Sequence, residues 1–167
     1  MSRGFVKEDD QEEIPIVPPR ADLPEGVTNY VTQVGLNELL AEKEVLVNEK
    51  DNLDGANEKD KRIALNLINA KLQLLENRIA EARVVRLDEQ PQNEIRFGAE
   101  VKLKIEKTHK IQTFQIVGVD EANISKGKIS FTSPLARLLT NKKVGDRVIL
   151  KRPGEDMIFE ILGITYS

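Results

Sequence analysis

Apolar residues recur every three or four positions between residues 32 and 85, which predicts two helices. The first run uses Leu36, Leu39, Leu40, Leu46 and Val47, and the second uses Ile63, Leu67, Ala70, Leu74 and either Ile79 or Ala80. Thr32 is a candidate N-cap of the first helix. The polar cluster that ends at Gly55 has the residues of a tight turn. We therefore predict helices near Thr32–Leu53 and Ala56–Val84 that pack as an antiparallel hairpin.

Beyond residue 95 the apolar period falls to about two, which is typical of strands. Val101, Leu103 and Ile105 alternate with polar residues, and Thr108-His109-Lys110 fits a hairpin turn. Further strand positions are Phe114, Ile116, Val117, Ile129 and Phe131, and residues 120–128 read as a longer loop. Residues 128–166 predict, in order, a strand, Ser133-Pro134, a short helix Leu135–Thr140, a strand Arg147–Lys151, a Pro153-Gly154 turn and a strand Met157–Tyr166.

These patterns divide the chain into four regions. Residues 1–28 combine four prolines with acidic residues and too few apolar residues for a core, so we predict an extended acidic arm. Residues 29–85 are the helical hairpin, and residues 86–94 are a polar linker broken by Pro91. Residues 95–167 are a small antiparallel β domain with one short helix.

Composition narrows the functional classes. The chain has no cysteine, which excludes disulfides, thiolate metal sites and cysteine nucleophiles. A net charge of −3 argues against general nucleic-acid binding, which usually needs a basic stripe. No apolar run approaches the roughly 20 residues of a membrane span, and the polar, acidic start is unlike a secretory signal. We expect a cytoplasmic protein that does not bind membranes.

The C-terminal motifs, taken in order, resemble the C-terminal domain of the GreA/GreB transcript cleavage factors. The quoted features are Ser133-Pro134-Leu135-Ala136-Arg137, Val144-Gly145-Asp146 and the final strand that reaches Tyr166. Phe97-Gly98-Ala99-Glu100-Val101 is similar to the family's opening strand, and a predicted hairpin precedes it, as in that family. The resemblance covers roughly residues 29–166. Residues 1–10 and Asn29-Tyr30-Val31-Thr32 are similar to a shorter-armed branch.

The resemblance implies an α+β fold with a helical hairpin (coiled coil) followed by an FKBP-like antiparallel β domain. It also implies a monomeric regulator of transcription elongation that binds RNA polymerase at its secondary channel. The β domain would dock and the hairpin would insert, so that nucleic acid is met only through the polymerase. Any RNA cleavage would be performed by the polymerase, so we expect no enzyme activity, catalytic residue, metal or cofactor in this chain.

The resemblance places a docking turn at Thr132, Ser133, Pro134 and Leu135. The family pattern there is commonly Asp-Ser-Pro, so Thr132 stands where a carboxylate is usual. A structural explanation is equally open, because a proline suits the first turn of a helix and a serine suits its cap.

The hairpin tip carries acidic residues at Asp51, Asp54 and Glu58. In the resembling family, tip carboxylates help to hold a second Mg²⁺ in the polymerase active site. No register of this tip reproduces the family motif, and neighbouring lysines dilute its negative charge. The arm also looks several helical turns shorter. A solvated charged turn is the alternative, and we expect weak or absent stimulation of cleavage.

Two other functions remain open. FKBP enzymes are prolyl isomerases, but their pockets need aromatic residues, and this domain offers only Phe97, Phe114, Phe131, Phe159 and Tyr166. A Gre-like regulator that docks on a different protein is the other alternative. The lone His109 sits in a predicted turn and reads as a solvated surface residue.

Overall fold

The computed structural model describes residues 16–54 and 57–167. The predictions that concern residues 1–15, Gly55 and Ala56 lie outside this range. The elements, in chain order, are β1 (Asn29–Val31), α1 (Gln33–Asp51), α2 (Glu58–Glu81), β2 (Ala82–Val84), β3 (Glu100–Ile105), β4 (Ile111–Val117), β5 (Lys128–Ser130), α3 (Pro134–Leu139), β6 (Arg147–Leu150) and β7 (Met157–Thr165). Short 3-10 helices cover Leu87–Glu89 and Ile124–Lys126.

The chain forms two compact units whose limits differ from the predicted regions. One unit contains residues 37–81 and the described residues up to Asp22. The other contains residues 23–36 together with residues 82–167, which we call the β unit. The chain before α1 and the chain after α2 therefore both belong to the β unit.

A five-stranded sheet in the order β5-β4-β3-β7-β6 forms the centre of the β unit. Three of its pairings are antiparallel, as predicted. The β4–β5 pairing is parallel, with Gln115 opposite Lys128 and Val117 opposite Ser130, so the prediction of an entirely antiparallel sheet is wrong at this edge. Residues 118–127 carry the chain back along β4, and β5 consequently starts from the same end of the sheet.

The core of the β unit follows the period-two pattern. Along β3, Val101 and Leu103 are fully buried and Ile105 nearly so, while Glu100 and Lys102 are exposed. Because successive strand residues point to opposite faces, one face of β3 supplies these apolar contacts. Other members of the same core cluster are Ile95, Ala99, Ile116, Ile129, Ala136, Leu139, Val148, Phe159 and Ile161.

The predicted second helix is too long at its end. Residues 82–84 form strand β2, which pairs in parallel with β1, Tyr30 lying opposite Arg83. Val31 is 3% exposed, so β1 is buried on one side. A strand was not predicted here because a three-residue segment is too short to show a period.

Helix α2 buries a different stripe from the one predicted, and α1 buries only part of its predicted stripe. On α2 the buried residues are Ile68, Leu72 and Leu75, whereas the predicted stripe residues Ile63 and Leu74 are 37% and 38% exposed. Apolar residues lie on two faces of α2, so periodicity alone could not choose the buried one. On α1, Leu39 and Leu46 are buried as predicted, and Leu40 and Val47 are exposed.

Polar contacts within the first unit connect its described segments. The Lys43 ammonium lies 3.9 Å from the Glu76 carboxylate, which links α1 to α2. The Arg20 guanidinium donates two hydrogen bonds to Glu42, at 2.9 and 3.0 Å. The Arg78 guanidinium donates to the Ala21 carbonyl at 2.7 Å. The short segment before the β unit is therefore in contact with both helices.

A cluster around Glu121 fixes the first turn of α1 within the β unit. The Thr32 hydroxyl accepts from the Gly35 N–H at 2.9 Å, which confirms the predicted N-cap, and it donates to the Glu121 carboxylate. The Glu121 side chain is 3% exposed and pairs with Lys128 at 3.1 Å. A Cβ on Gly35 would lie 2.7 Å from the Glu121 carboxylate, so a larger residue here would require the Glu121 side chain to shift.

The predicted linker is tied to the end of β7. The Tyr166 hydroxyl donates to the Glu94 carbonyl at 2.6 Å and accepts from the Arg96 N–H at 2.8 Å. Burial raises the pKa of this phenol, which therefore stays protonated and able to donate. Ile95, directly after the linker, is fully buried.

A substitution at Gly118 tests how β1 is attached to the rest of the β unit. A Cβ at this position would lie 2.6 Å from the Tyr30 carbonyl oxygen, which is backbone and cannot move aside. We expect Gly118→Ala to lower the free energy of unfolding of the β unit by about 2 kcal/mol, because overpacking a buried site typically costs this much. Urea unfolding followed by circular dichroism measures the change.

Gly163→Ala in β7 is the matched control, because its added Cβ would meet only Lys102 Cβ at 3.8 Å, an ordinary contact. We expect its stability to stay within about 0.5 kcal/mol of the original protein. Equal stability of the Gly118 and Gly163 variants would show that β1 does not rest on Gly118.

Candidate functional site

The turn between β5 and α3 is closed by its own hydrogen bonds. The Ser133 N–H donates to the Ser130 carbonyl at 2.9 Å. The Ser130 and Thr132 hydroxyls lie 2.7 Å apart, and the Thr132 N–H donates to the Ser130 hydroxyl at 3.1 Å. These bonds hold the backbone that precedes Pro134 in one conformation.

Helix α3 has Ser133 as its cap, as the sequence predicts, but its first residue is Pro134, one position before the predicted start at Leu135. The Ser133 hydroxyl accepts from the Ala136 N–H at 3.3 Å, and Pro134 is the first helical residue. Ala136 and Leu139 are fully buried, so the helix is packed on the core of the β unit. Ser133 and Pro134 therefore act as the cap and the first residue of α3. These structural roles leave the exposed surface of the turn free to contact a partner.

The four predicted docking residues differ in exposure. Pro134 is exposed, whereas Thr132, Ser133 and Leu135 are half-buried. The hydroxyls of Thr132 and Ser133 form local bonds, and Leu135 packs against the core. The surface that the turn offers a partner is therefore mainly the Pro134 ring, together with the exposed Arg137 three residues further along α3.

Three aromatic rings cluster beside this turn. The Tyr30 ring centroid lies 6.0 Å from that of Phe97 and 5.8 Å from that of Phe131. The Phe97 and Phe131 centroids are 5.6 Å apart in an edge-to-face arrangement. Tyr30 remains 40% exposed. This cluster could not be predicted from the sequence, because its members lie 34 to 101 positions apart along the chain.

The acidic tip residues are exposed and bracket the interhelical turn. Asp51 is the last residue of α1, Glu58 is the first of α2, and Asp54 lies between them. The Asn57 side chain caps α2 by accepting from the Asp60 N–H at 2.8 Å. Within the described part of the chain, no group of three or more histidine or acidic residues is arranged to hold a metal ion.

A cleft in the β unit is relevant to the alternative function as a prolyl isomerase. It has a volume of about 520 Å³ and lies between the β3–β4 turn and the β6–β7 hairpin. Its lining residues are charged, polar or aliphatic, with no aromatic ring among them: Ile105, Glu106, Lys107, Thr108, Arg152, Glu155, Asp156, Met157 and Ile158. Phe159 is 2% exposed and belongs to the core. This cleft lacks the aromatic walls that an FKBP-type pocket uses.

The structure also describes His109 and the apolar character of the helices. His109 is exposed at the β3–β4 turn, with a positive φ of 58°, and is the surface residue that was expected. No helix within the described ranges is both long and apolar enough to cross a bilayer.

Comparison with known proteins identifies the second half of the chain. Residues 90–166 match the family model described as "Transcription elongation factor, GreA/GreB, C-term". Transcription elongation factor GreA of Sinorhizobium medicae is 42% identical over 97 residues, which are 58% of this chain and 61% of that protein. The GreA protein of Maricaulis maris is 37% identical over 100 residues, or 60% of this chain and 64% of that protein.

The chain thus spans less than two thirds of these relatives. Among solved structures, GreA factor homolog 1 of Thermus thermophilus aligns with 83% of this chain and 99% of its own, at 22% identity and a TM-score of 0.39. GreA/GreB of Nitrosomonas europaea aligns with 82% and 98%, at 20% identity and a TM-score of 0.42. The resemblance seen in the C-terminal motifs is confirmed: residues 90–166 are similar to the C-terminal part of the GreA/GreB transcription elongation factors.

Proposed function

We propose that this protein regulates transcription elongation by binding RNA polymerase at its secondary channel. The β unit docks at the mouth of the channel, and α1 and α2, packed as a coiled-coil hairpin, enter it. The observation that carries the proposal is the GreA/GreB match over residues 90–166, which includes the whole turn from Thr132 to Leu135. In this proposal the β unit has the FKBP-like fold of that family.

The turn has the properties of a preorganised contact. Its backbone is held by the Ser133 N–H and the Ser130 and Thr132 hydroxyls, and α3 is anchored through two buried side chains. A partner that binds the exposed Pro134 ring therefore does not have to order a loop, which would otherwise subtract from the binding free energy. Thr132 supplies no carboxylate, so the polar contact usual in the family is replaced by apolar contact.

The helices support a shorter-armed form of this function. With 19 and 24 residues, α1 and α2 are about 28 and 36 Å long. In our proposal the protein changes pausing or elongation by occupying the channel. It is not itself an enzyme, and the polymerase performs any RNA hydrolysis.

The tip residues support a non-catalytic role. Mg²⁺ requires near-octahedral oxygen geometry, usually with one or two well-placed carboxylates. Asp51, Asp54 and Glu58 are exposed, and the Asp60 carboxylate accepts from the Asn57 side chain. The tip of this arm is accordingly a solvated charged turn that contributes no second metal ion to the polymerase.

The docking turn is tested with Pro134→Ala in the full chain. Because Pro134 is exposed and makes no core contact, we expect the melting temperature to change little while affinity for purified RNA polymerase falls about tenfold, which corresponds to roughly 1.4 kcal/mol. Fluorescence anisotropy of the labelled protein measures the affinity. Pro153→Ala is the control, since Pro153 is an exposed proline in the β6–β7 turn.

Equal affinity of the Pro134 and Pro153 variants for RNA polymerase would show that the turn is not part of the interface. Absence of binding by the unmodified protein would overturn the proposed function itself. A loss of affinity in both variants, with intact circular dichroism, would place the contact elsewhere on the β unit.

The non-catalytic tip is tested with Asp54→Asn and Glu58→Gln in a backtracked elongation complex. We expect RNA shortening to change by less than about twofold, because neither residue occupies a metal-binding arrangement. Glu44→Gln, on an exposed position of α1 away from the tip, is the matched control. A large loss of cleavage in either tip variant, with binding and the control unchanged, would show that the tip takes part in catalysis.

A further inference from the structure

We infer that the docking surface continues from Pro134 onto strands β1 and β2, where Tyr30 and Arg83 form its second half. The extended surface fits an acidic protein surface that presents an apolar side chain. This inference rests on the proposed function, and the partner is RNA polymerase.

The apolar centre of the surface is the Tyr30–Phe97–Phe131 cluster. Tyr30 is 40% exposed although its ring contacts both phenylalanines, and Phe97 and Phe131 are themselves half-buried. A rigid aromatic side chain on a packed base loses little entropy on binding, which is why tyrosine is common among residues that dominate interface energies. Nothing in the described part of the chain covers the outer side of this ring.

The cluster lies close enough to the docking turn to belong to one surface. Phe131 is three residues before Pro134, and three residues of chain span at most about 11 Å. Tyr30 contacts the Phe131 ring directly. A single partner surface of ordinary size, about 800 Å² on each side, covers groups separated by such distances.

The strand pairing adds a positive charge beside Tyr30. Arg83 lies opposite Tyr30 in the parallel β1–β2 register, and partners in a ladder point to the same face of the sheet. Both residues are exposed, whereas Asn29 and Val31, the neighbours of Tyr30 in β1, are buried. Arg83 therefore stands next to the aromatic cluster on its solvent side.

The arginines of this surface differ from several others of the β unit in their ion pairing. Arg86, Arg96 and Arg147 each form an ion pair with a carboxylate of the chain. Within the described ranges, Arg83 and Arg137 form no such pair, although both are exposed. Arg83 lies on β2, which pairs with the strand of Tyr30, and Arg137 lies on α3, six residues after Phe131.

The backbone brings a further cation to the same region. The Ile95 N–H donates to the Lys142 carbonyl at 2.9 Å, and the Asn141 N–H donates to the Ile95 carbonyl at 2.8 Å. Lys142 is exposed. Its backbone is thereby bonded to Ile95, which lies two positions before Phe97 in the sequence. Arg83, Arg137 and Lys142 lie on segments that pair with or closely follow those of the aromatic cluster, and their positive charge is complementary to carboxylates around an apolar side chain. Such complementarity sets orientation and association rate.

The experiment measures binding of the full chain to purified RNA polymerase at about 50 and 300 mM salt, a range over which exposed charges become screened. The variants are Tyr30→Ala, Tyr30→Phe, Arg83→Glu and Arg137→Glu. Arg152→Glu is the charge-matched control, because Arg152 is exposed and forms no ion pair within the described residues. It lines the cleft between the β3–β4 turn and the β6–β7 hairpin.

We expect Tyr30→Ala to weaken binding at least tenfold and Tyr30→Phe to bind almost as the original protein, in line with the usual loss at aromatic interface residues of about tenfold or more. Arg83→Glu and Arg137→Glu should each weaken binding about fivefold at low salt and less at high salt, as expected of steering charges. Arg152→Glu should stay within about twofold.

The results separate this inference from the proposed function. If Pro134→Ala weakens binding while Tyr30→Ala and Arg83→Glu bind normally, the docking surface stops at α3 and the inference is wrong. If the unmodified protein does not bind the polymerase, both fail together. Should Tyr30→Ala lower the melting temperature, Arg83→Glu decides, because that exposed side chain makes no ion pair within the described chain whose loss could unfold it.

Discussion

The close approach of β1 to Gly118 is the constraint on which the β unit depends. The Tyr30 carbonyl lies where a side chain at position 118 would otherwise stand, and Val31 is buried beside it. Immediately after this contact, the Thr32 hydroxyl bonds to the buried Glu121 carboxylate, which Lys128 neutralises. A segment that precedes the five-stranded sheet by about 70 residues thus belongs to the same compact unit.

The arrangement around Glu121 explains why this attachment is specific. A carboxylate that is 3% exposed is costly to bury unless it is paired and hydrogen-bonded, and here it has both kinds of partner. It also lies near the first turn of α1, where the helix dipole favours negative charge. Removing Lys128 or Thr32 would leave the buried charge with only one of its two partners, so these residues act together and not as independent contributions.

The attachment of β1 has a functional consequence. It places Tyr30 against Phe97 and Phe131, and it pairs β1 with β2 so that Arg83 lies beside Tyr30. Without β1, the two phenylalanines would expose apolar surface next to the docking turn. The GreA/GreB match covers residues 90–166, yet the surface proposed to contact RNA polymerase also draws on residues that lie before it in sequence.

Much of the fold was predictable where a pattern extends over several residues. The alternation in β3, the serine cap and proline of α3, and the N-cap at Thr32 all appear in the structure, because each depends on residues within four positions of one another. The parallel pairing of β5, the three-residue strands β1 and β2, and the buried face of α2 did not follow from the sequence. Each is decided by contacts between distant segments, and the same holds for the aromatic cluster and Glu121.

Hydrogen exchange measured by mass spectrometry on the protein with and without RNA polymerase tests the central claim most directly. The account predicts slower amide exchange on binding in peptides that cover residues 130–137, together with those that cover β1 and β2. Peptides around Arg152, in the β6–β7 turn, should exchange at the same rate in both samples. Protection confined to the β6–β7 turn, with residues 130–137 unchanged, would contradict the proposed docking surface.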